Sequence, residues 1–356
     1  MTVKASSKRN RSVFALLATL SCMTAQPQSL HFLGVLPGHS EWSEALGVSL
    51  DGRVVDTSMR RKGPGRAFVW TLESGLVDLG TLGGVGSDAR AITPDGRLVF
   101  GSAHGPDGVP RSVSWTVGGA IQPIDHVLGI RSGASGVSAD GRIVVGWVAL
   151  PSGVLHAIRW TDDGRSEMLG SLRGDSMASD VSADGRVVVG LFDAYHSPLA
   201  FRWEDGTMHE IDSGGQEAGA TAVSADGRVI VGWYFPRNFA TARPFRWTKE
   251  TGLVDIGGDR QQFGGGAAHD ITPDGRIIVG RTHGANSAAR WVDGSGPEDL
   301  NETYAHLLPP NSRMWQAKAI SDDGRYIVGR GYNGRTGRTE AFVLDTGPGR
   351  ALSPRP

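Results

Sequence analysis

The sequence has a single cysteine and no apolar segment long enough to cross a bilayer. Because Cys22 stands alone, a disulfide within the chain is excluded and the fold must depend on packing. The apolar run from Val13 to Leu20 is too short for a membrane span. The net charge is −1, and no basic block indicates a nucleic acid partner. We therefore predict a protein with neither a transmembrane domain nor a nucleic acid partner.

Motifs of metal, nucleophilic and phosphate chemistry are also missing. The ten histidines form no His-x-x-x-His pair, and no Gly-x-Ser-x-Gly segment occurs. The segment Gly83-Gly84-Val-Gly86 lacks the Lys of a phosphate-binding loop and leads into another apolar strand pattern. No cofactor is therefore predicted.

The first 25 residues have the layout of a secretory signal peptide. Four basic residues without an acid precede the apolar run, and small residues follow it. We expect cleavage between residues 21 and 26, which leaves a net charge near −5. A lipid anchor at Cys22 is the alternative, although Thr19-Leu20-Ser21 departs from the usual lead-in. The chain is thus predicted to be exported to the periplasm, the cell surface or the medium.

What the sequence has in abundance is glycine, 52 of 356 residues, and an internal repeat. The triplet Asp-Gly-Arg recurs seven times at intervals of 42 to 49 residues. The first residues of these triplets are Asp51, Asp95, Asp140, Asp184, Asp226, Asp274 and Asp323. An Ala stands six residues before every one of them, and a β-branched run follows. Two strands joined through Asp-Gly form a hairpin, because Gly accepts positive φ and Asp bonds its own backbone.

Each repeat contains two further apolar segments, so the unit has four short strands. In six copies the third segment ends in Trp, and a fourth ends eight or nine residues later in Leu or Ile. The third segments end at Trp70, Trp115, Trp160, Trp203, Trp247 and Trp291, with Leu344 in the seventh copy. A four-stranded unit of about 45 residues is typical of a β-propeller blade.

The strand patterns near the two ends of the sequence predict that the ring closes. The seventh copy stops after Ala341-Phe-Val-Leu-Asp345, without a fourth strand, whereas His31-Phe-Leu-Gly34 resembles a fourth strand without a blade. We therefore predict an all-β, seven-bladed propeller of four-stranded antiparallel blades, closed by the N-terminal strand. The predicted organisation is a signal peptide at 1–25, the propeller at 26–346 and a flexible tail at 347–356.

The repeat resembles the HAF family of bacterial extracellular repeat proteins over nearly the whole mature chain. The resemblance rests on Ala-Phe-Val-Trp70, His156-Ala-Ile-Arg-Trp160 and Leu-Val-Asp-Leu-Gly-Thr-Leu-Gly-Gly84, with repeated Ser-Ala-Asp-Gly and Val-Val-Gly segments. The chain departs from the pattern at Val113 and Ala289, and Asp56 stands where other copies have Gly. The resemblance implies an exported repeat protein without an agreed biochemical activity.

Repeated residues are interpreted as scaffold, because a ring needs the same hairpin seven times whereas a ligand needs an asymmetric site. The Asp-Gly-Arg triplets are predicted to be turns, with the Arg paired to a neighbouring Asp or Ser. The six Trp are predicted to pack in or between blades, with carbohydrate stacking as the alternative.

The candidate site residues lie where the second strand ends or in long connections. Nine residues after each repeat Asp the column is the most varied, and such loops carry function on rigid scaffolds. It contains Arg60, His104, Ala149, Asp193, Phe235, His283 and Tyr332. Of these, His104, Asp193, His283 and Tyr332 are the candidate catalytic set. The candidate ligand-binding residues are Arg60, Trp147, Trp233, Tyr234, Tyr304 and Trp315, although core packing is the favoured interpretation of the tryptophans Trp147 and Trp233.

Two functions of different classes follow. The favoured one is a non-catalytic, exported binding or adhesion propeller whose partner is a protein, a glycan or another envelope component. The alternative is a metal-assisted hydrolase or lyase with an axial site. Ring closure removes sheet edges, so we expect a monomer.

Overall fold

The computed structural model describes residues 27–39, 42–59, 63–124, 131–193, 197–237, 240–259, 264–282 and 286–347. The predicted signal peptide at 1–25, Cys22 and the predicted tail beyond Gly347 lie outside these residues. Within the described ranges no helix has the length and hydropathy needed to cross a membrane.

The described strands form seven antiparallel sheets of four strands, which confirms the seven-bladed propeller. Blades one to three contain β2 (Ser43–Val48), β3 (Val54–Ser58), β4 (Arg66–Thr71), β5 (Gly75–Asp78), β6 (Ser87–Ile92), β7 (Leu98–His104), β8 (Pro110–Thr116), β9 (Ile121–Pro123), β10 (Arg131–Val137), β11 (Ile143–Ala149), β12 (Leu155–Thr161) and β13 (Ser166–Gly170). Blades four and five contain β14 (Ser176–Val181), β15 (Val187–Phe192), β16 (Leu199–Glu204), β17 (Thr207–Glu210), β18 (Ala218–Val223), β19 (Ile230–Tyr234), β20 (Arg243–Thr248) and β21 (Gly252–Asp255).

Blade six contains β22 (Gly266–Ile271), β23 (Ile277–Thr282), β24 (Ser287–Val292) and β25 (Glu298–Asp299). A short helix, α1 (Leu300–Thr303), connects it to blade seven. Blade seven contains β26 (Arg313–Ile320), β27 (Tyr326–Asn333), β28 (Arg338–Asp345) and β1 (Ser29–Gly34).

The ring closes between the two ends of the described chain. Strand β1 pairs antiparallel with β28, with Ser29 opposite Asp345 and Phe32 opposite Phe342. The N-terminal strand is therefore the outermost strand of blade seven, as the sequence predicts. This pairing covers the strand edge that β28 would otherwise expose.

The hydrophobic core is divided among the spaces between neighbouring blades. One cluster, for example, joins Val145 of blade three with Val188 and Phe201 of blade four. Trp115, Trp160, Trp203 and Trp291 of the third strands are buried, which confirms the packing interpretation for these four. Burying these four large side chains between blades supplies stability that a chain without disulfides needs.

Candidate functional site

The Asp-Gly-Arg triplets form the same turn in all seven blades. The Ser or Thr two residues before the Asp donates its hydroxyl to the Asp Oδ1 over 2.5 to 2.7 Å. The amide of the Arg donates to the same oxygen over 3.0 to 3.4 Å. The Gly has φ between 70° and 79°, a conformation that favours glycine. The predicted turn is confirmed, and its residues are used by the scaffold.

The turns also connect neighbouring blades around one end of the axis. The amide of Leu50 donates to the carbonyl of Pro94, and the amide of Ala225 donates to the carbonyl of Pro273. The Arg side chains form ion pairs with their own turn Asp, with an Asp at the end of the third strand, or with both; Arg276, for example, pairs with Asp293 at 2.7 Å. We call this end of the ring the turn face.

The innermost strand of every blade carries a β-bulge at the same place. The register shifts directly after the invariant Ala in β2, β6, β10, β14, β18, β22 and β26. An extra residue in one strand is left unpaired and changes the direction of nearby side chains. The residues at the bulge are Leu46, Arg90, Ser135, Ser179, Thr221, His269 and Lys318. The seven blades therefore present seven bulge residues of six different types to the axis.

These bulge residues line an axial cavity of about 260 Å³. The residue after each bulge also lines it, as do residues next to the Asp of six turns, so the cavity lies toward the turn face. The turn-side residues are Pro94, Ala139, Ala183, Ala225, Pro273 and Asp322. The sequence-based expectation instead favoured the opposite face, where the second strands end.

Two carboxylates in the cavity wall bridge neighbouring blades. Asp180 Oδ2 accepts a hydrogen bond from the Val223 amide of the next blade at 2.9 Å. Asp270 Oδ2 accepts one from the Ile320 amide at 2.8 Å, and its Oδ1 accepts from Ile271. Burial raises the pKa of Asp180 to about 6 and that of Asp270 to about 7, because a buried site disfavours the charged form. Both groups therefore titrate near neutral pH.

Basic groups of blades six and seven gather around one carboxylate of blade one. Glu44 Oε1 lies 3.4 Å from Lys318 Nζ and 3.4 Å from Arg330 Nε. Burial first, and then the charges of Lys318, Arg281 and Arg330, hold the pKa of His269 well below its usual range. We call His269, Arg281, Lys318 and Arg330 the basic cluster. Because His269 is then neutral, the cluster has three positive charges, and the carboxylate of Glu44 supplies one negative charge.

The candidate catalytic residues that the structure describes each have a local environment of their own. Asp193 forms an ion pair with Arg173 at 2.9 Å and is 9% exposed. Tyr332 stacks on Trp315 with ring centroids 6.2 Å apart. The backbone of His104, at the end of β7, bonds with Gly84 and Gly86 of the connection between blades one and two. None of the three lines the axial cavity, and His283 lies outside the described residues, so this set stays a prediction.

The candidate ligand-binding residues are also dispersed, and most of them contact other side chains. The Tyr234 hydroxyl donates to Asp255, which also pairs with Arg243 at 2.7 Å. Tyr304 is 4% exposed in the core of the blade six and seven interface. Arg60 lies outside the described residues.

The two candidate tryptophans lie against glycines of the innermost strands. A Cβ added to Gly133 would lie 2.8 Å from the indole nitrogen of Trp147, and one added to Gly219 would lie 2.8 Å from the Trp233 ring. The half-buried rings thus cover strands that have no side chain there. This packing is the interpretation that the sequence favours for the pair.

The bulge column is the candidate site that sequence reasoning missed. It stands directly after the invariant Ala, and its side chains vary more than those of any position beside it. Strand alternation alone would place this residue and the next on opposite faces. Because a bulge sends both toward the axis, the column can be recognised only once the register is known. Among the described residues, no three His, Cys, Asp or Glu side chains are arranged to hold a metal ion.

Comparison with known proteins supports the fold and indicates no function. The sequence matches no protein-family model and no curated protein. An oligogalacturonate lyase in complex with manganese is 12% identical, with 89% of this chain and 90% of that chain covered and a TM-score of 0.56. The β-propeller domain of the Trilobed protease from Pyrococcus furiosus is 12% identical, with 90% and 94% covered and a TM-score of 0.55.

That archaeal domain is described as having an open velcro topology, whereas β1 and β28 close the ring here. A putative TolB from Agrobacterium tumefaciens is 19% identical, with 60% of this chain and 80% of that chain covered and a TM-score of 0.47, too low to carry an argument. At such identities a shared fold does not transfer a function.

Proposed function

We propose that the protein is an exported, non-catalytic binding propeller whose ligand occupies the axial cavity. The observation that carries the proposal is the bulge column. Seven blades share one scaffold but place Leu, Arg, two Ser, Thr, His and Lys around a single cavity. An asymmetric lining inside a symmetric ring is what selective binding requires.

The size of the cavity limits what can bind there. At about 260 Å³ it falls just below the range of roughly 300–1,000 Å³ typical of small-molecule pockets. A small ligand, or one end of a larger partner, fits this space, whereas a folded domain does not. The partner can still be a protein or glycan of the envelope, provided that it inserts a small group.

The binding proposal predicts that filling the cavity abolishes ligand binding. Ser135→Trp places a large ring at a half-buried bulge position of the cavity wall. Ser152→Trp, at an exposed turn position, is the matched control. A panel of sugar acids, sugar phosphates, dicarboxylates and dipeptides is screened by thermal shift. We expect at least one compound to stabilise the wild type and Ser152→Trp but not Ser135→Trp.

A panel without any stabilising compound, or one whose effect Ser135→Trp retains, contradicts the axial site. Conversion of a bound compound into a product contradicts the non-catalytic part of the proposal. Circular dichroism of both variants shows whether the blades are intact.

The export part of the proposal rests on the predicted signal peptide and on the resemblance to HAF repeat proteins. Expression of the whole chain in a bacterium is expected to give a protein whose N-terminus lies between residues 21 and 26, outside the cytoplasm. Mass spectrometry of cell fractions measures this. An intact N-terminus in a cytoplasmic protein would contradict export.

A further inference from the structure

The basic cluster holds more positive charge than its surroundings neutralise. Lys318 and Arg330 share one oxygen of Glu44 at 3.4 Å each. Arg281 has no hydrogen bond or ion pair among the described residues, and its Nε is buried. The Nε of Arg330 is also buried and makes no hydrogen bond within the described part of the chain, because its 3.4 Å contact with Glu44 lacks hydrogen-bond geometry, while 33% of the Arg330 side chain is exposed. A buried cationic donor without an acceptor is unfavourable unless an anion completes it.

The imidazole of His269 is a fourth group of the cluster that lacks a hydrogen-bond partner. Its Nε2 is buried and has no hydrogen-bond partner among the described residues. His269 and Lys318 both line the axial cavity. Arg281 and Arg330 are not among the residues that line it, so the cluster reaches this space through His269 and Lys318.

We infer that Lys318 and the Nε2 atom of His269 in the cavity wall, together with the neighbouring Arg281 and Arg330, form a binding site for the oxyanion of a small ligand, a carboxylate or a phosphate group. The inference rests on the proposed function and names the chemistry of its ligand. Guanidinium groups donate paired hydrogen bonds that fit the oxygens of both anions, and an ammonium adds a point charge. Glu44 keeps Lys318 and Arg330 in position and leaves a surplus of two positive charges for the ligand.

The electrostatics of the cluster agree with an anion site. Burial lowers the pKa of Arg281, and the nearby Arg330 lowers it further. Burial likewise lowers the pKa of Lys318, although Glu44 opposes this effect. A bound anion would reverse the repulsion among these groups, so binding and a rise in the pKa of His269 should occur together.

The test uses the purified full chain in chloride buffer, titrated with inorganic phosphate or with malonate at constant ionic strength. Thermal shift and calorimetry measure binding. We expect at least one of the two anions to raise the Tm saturably below about 20 mM. Phosphate alone indicates a phosphate ligand, malonate alone a carboxylate ligand. NMR of the histidine ring should show the pKa of His269 rising when the anion binds.

Arg281→Gln separates binding from folding, because we expect it to weaken anion binding without lowering the stability of the protein. Without anion the variant should be at least as stable as the wild type, since an unpaired charge next to Arg330 is removed. Its affinity for the anion should fall at least tenfold. Arg165→Gln is the control, because Arg165 is 84% exposed and its one ion pair in the described part of the chain is with Asp163 at 2.9 Å. Its stability and its affinity for the anion should both match those of the wild type.

The inference is overturned if neither anion stabilises the wild type, or if Arg281→Gln binds the anion as well as the wild type does. If neither anion binds but another compound acts in a manner that Ser135→Trp abolishes, the binding function stands and the anion site alone fails. If no compound acts at all, both fail.

Discussion

Asp56 occupies a position where the other six blades have glycine. In those blades a Cβ would lie 2.0 to 2.1 Å from a carbonyl oxygen of the innermost strand, so a side chain is excluded by contact. In blade one the carboxylate takes part in the backbone bonding instead. Asp56 is fully buried, and its Oδ1 accepts from the Glu44 amide at 2.8 Å. Asp56 thus supports the residue that anchors the basic cluster.

The protonation of Asp56 leads to a prediction at this scale. Burial raises its pKa well above the usual range, opposed by the amides of Glu44 and Thr57. Its Oδ2 has no hydrogen bond among the described residues. Asp56→Asn keeps the acceptor and removes the charge, so its free energy of unfolding at pH 7.5 should equal or exceed that of the wild type. Asp56→Ala leaves the Glu44 amide unsatisfied and should lose about 1–3 kcal/mol.

Urea unfolding at pH 7.5 measures both variants. Equal destabilisation by Asn and Ala would show that the carboxylate is needed in its charged form.

The innermost strands show what could be predicted about elements and what could not. The hairpins followed from Asp-Gly, because a two-residue turn signal is local. The bulges did not, since the pattern of Ala, a variable residue, then Gly, Ala or Asp, then Val or Ile fits an unbroken strand equally well. The axial cavity depends on those bulges, so residues such as His269 and Lys318 could not be assigned to it from the sequence.

Strands β14 and β22 are joined to the next innermost strand through Asp180 and Asp270, and this linkage should depend on pH. Both carboxyls have raised pKa values in the folded protein, about 6 and 7. Between about pH 4 and 7 the unfolded chain releases these protons while the folded chain keeps them, so stability falls as pH rises. Replacing both carboxyl groups should therefore increase the stability of the folded protein most at high pH.

We expect the stability of Asp180→Asn/Asp270→Asn, relative to the wild type, to increase from pH 5 to pH 8 by on the order of 3 kcal/mol. Thermal unfolding across this range measures the difference. Taking the difference removes the contribution of His269, whose lowered pKa acts in the opposite direction below about pH 6.5 in both proteins. Asp140→Asn is the control, since hydrogen bonds from Ser138 and Arg142 lower the pKa of Asp140. Asp140 is therefore ionised in both the folded and the unfolded chain across this range, and the stability of Asp140→Asn relative to the wild type should not change with pH. If the stability of the double variant relative to the wild type did not change with pH, the raised pKa values would be contradicted.

At the scale of the whole molecule, the ring was predictable because repetition supplies seven independent observations of one blade. Closure followed from a missing fourth strand at one end and a spare one at the other. The lining of the axial cavity was not predictable in the same way, because each blade contributes to the axis one bulge residue that does not follow the repeat. The +9 column, with His104, Asp193 and Tyr332, varies as much in sequence, yet its described members lie apart from the cavity.

The pairing of β1 with β28 has a mechanical consequence. The strands are antiparallel, Ser29 lies opposite Asp345, and the Gln28 side chain donates to the Thr346 carbonyl. The described chain therefore enters and leaves the ring at one corner. A pull applied to both ends would peel β1 from β28 one pair at a time, which resists force less well than shearing all pairs together.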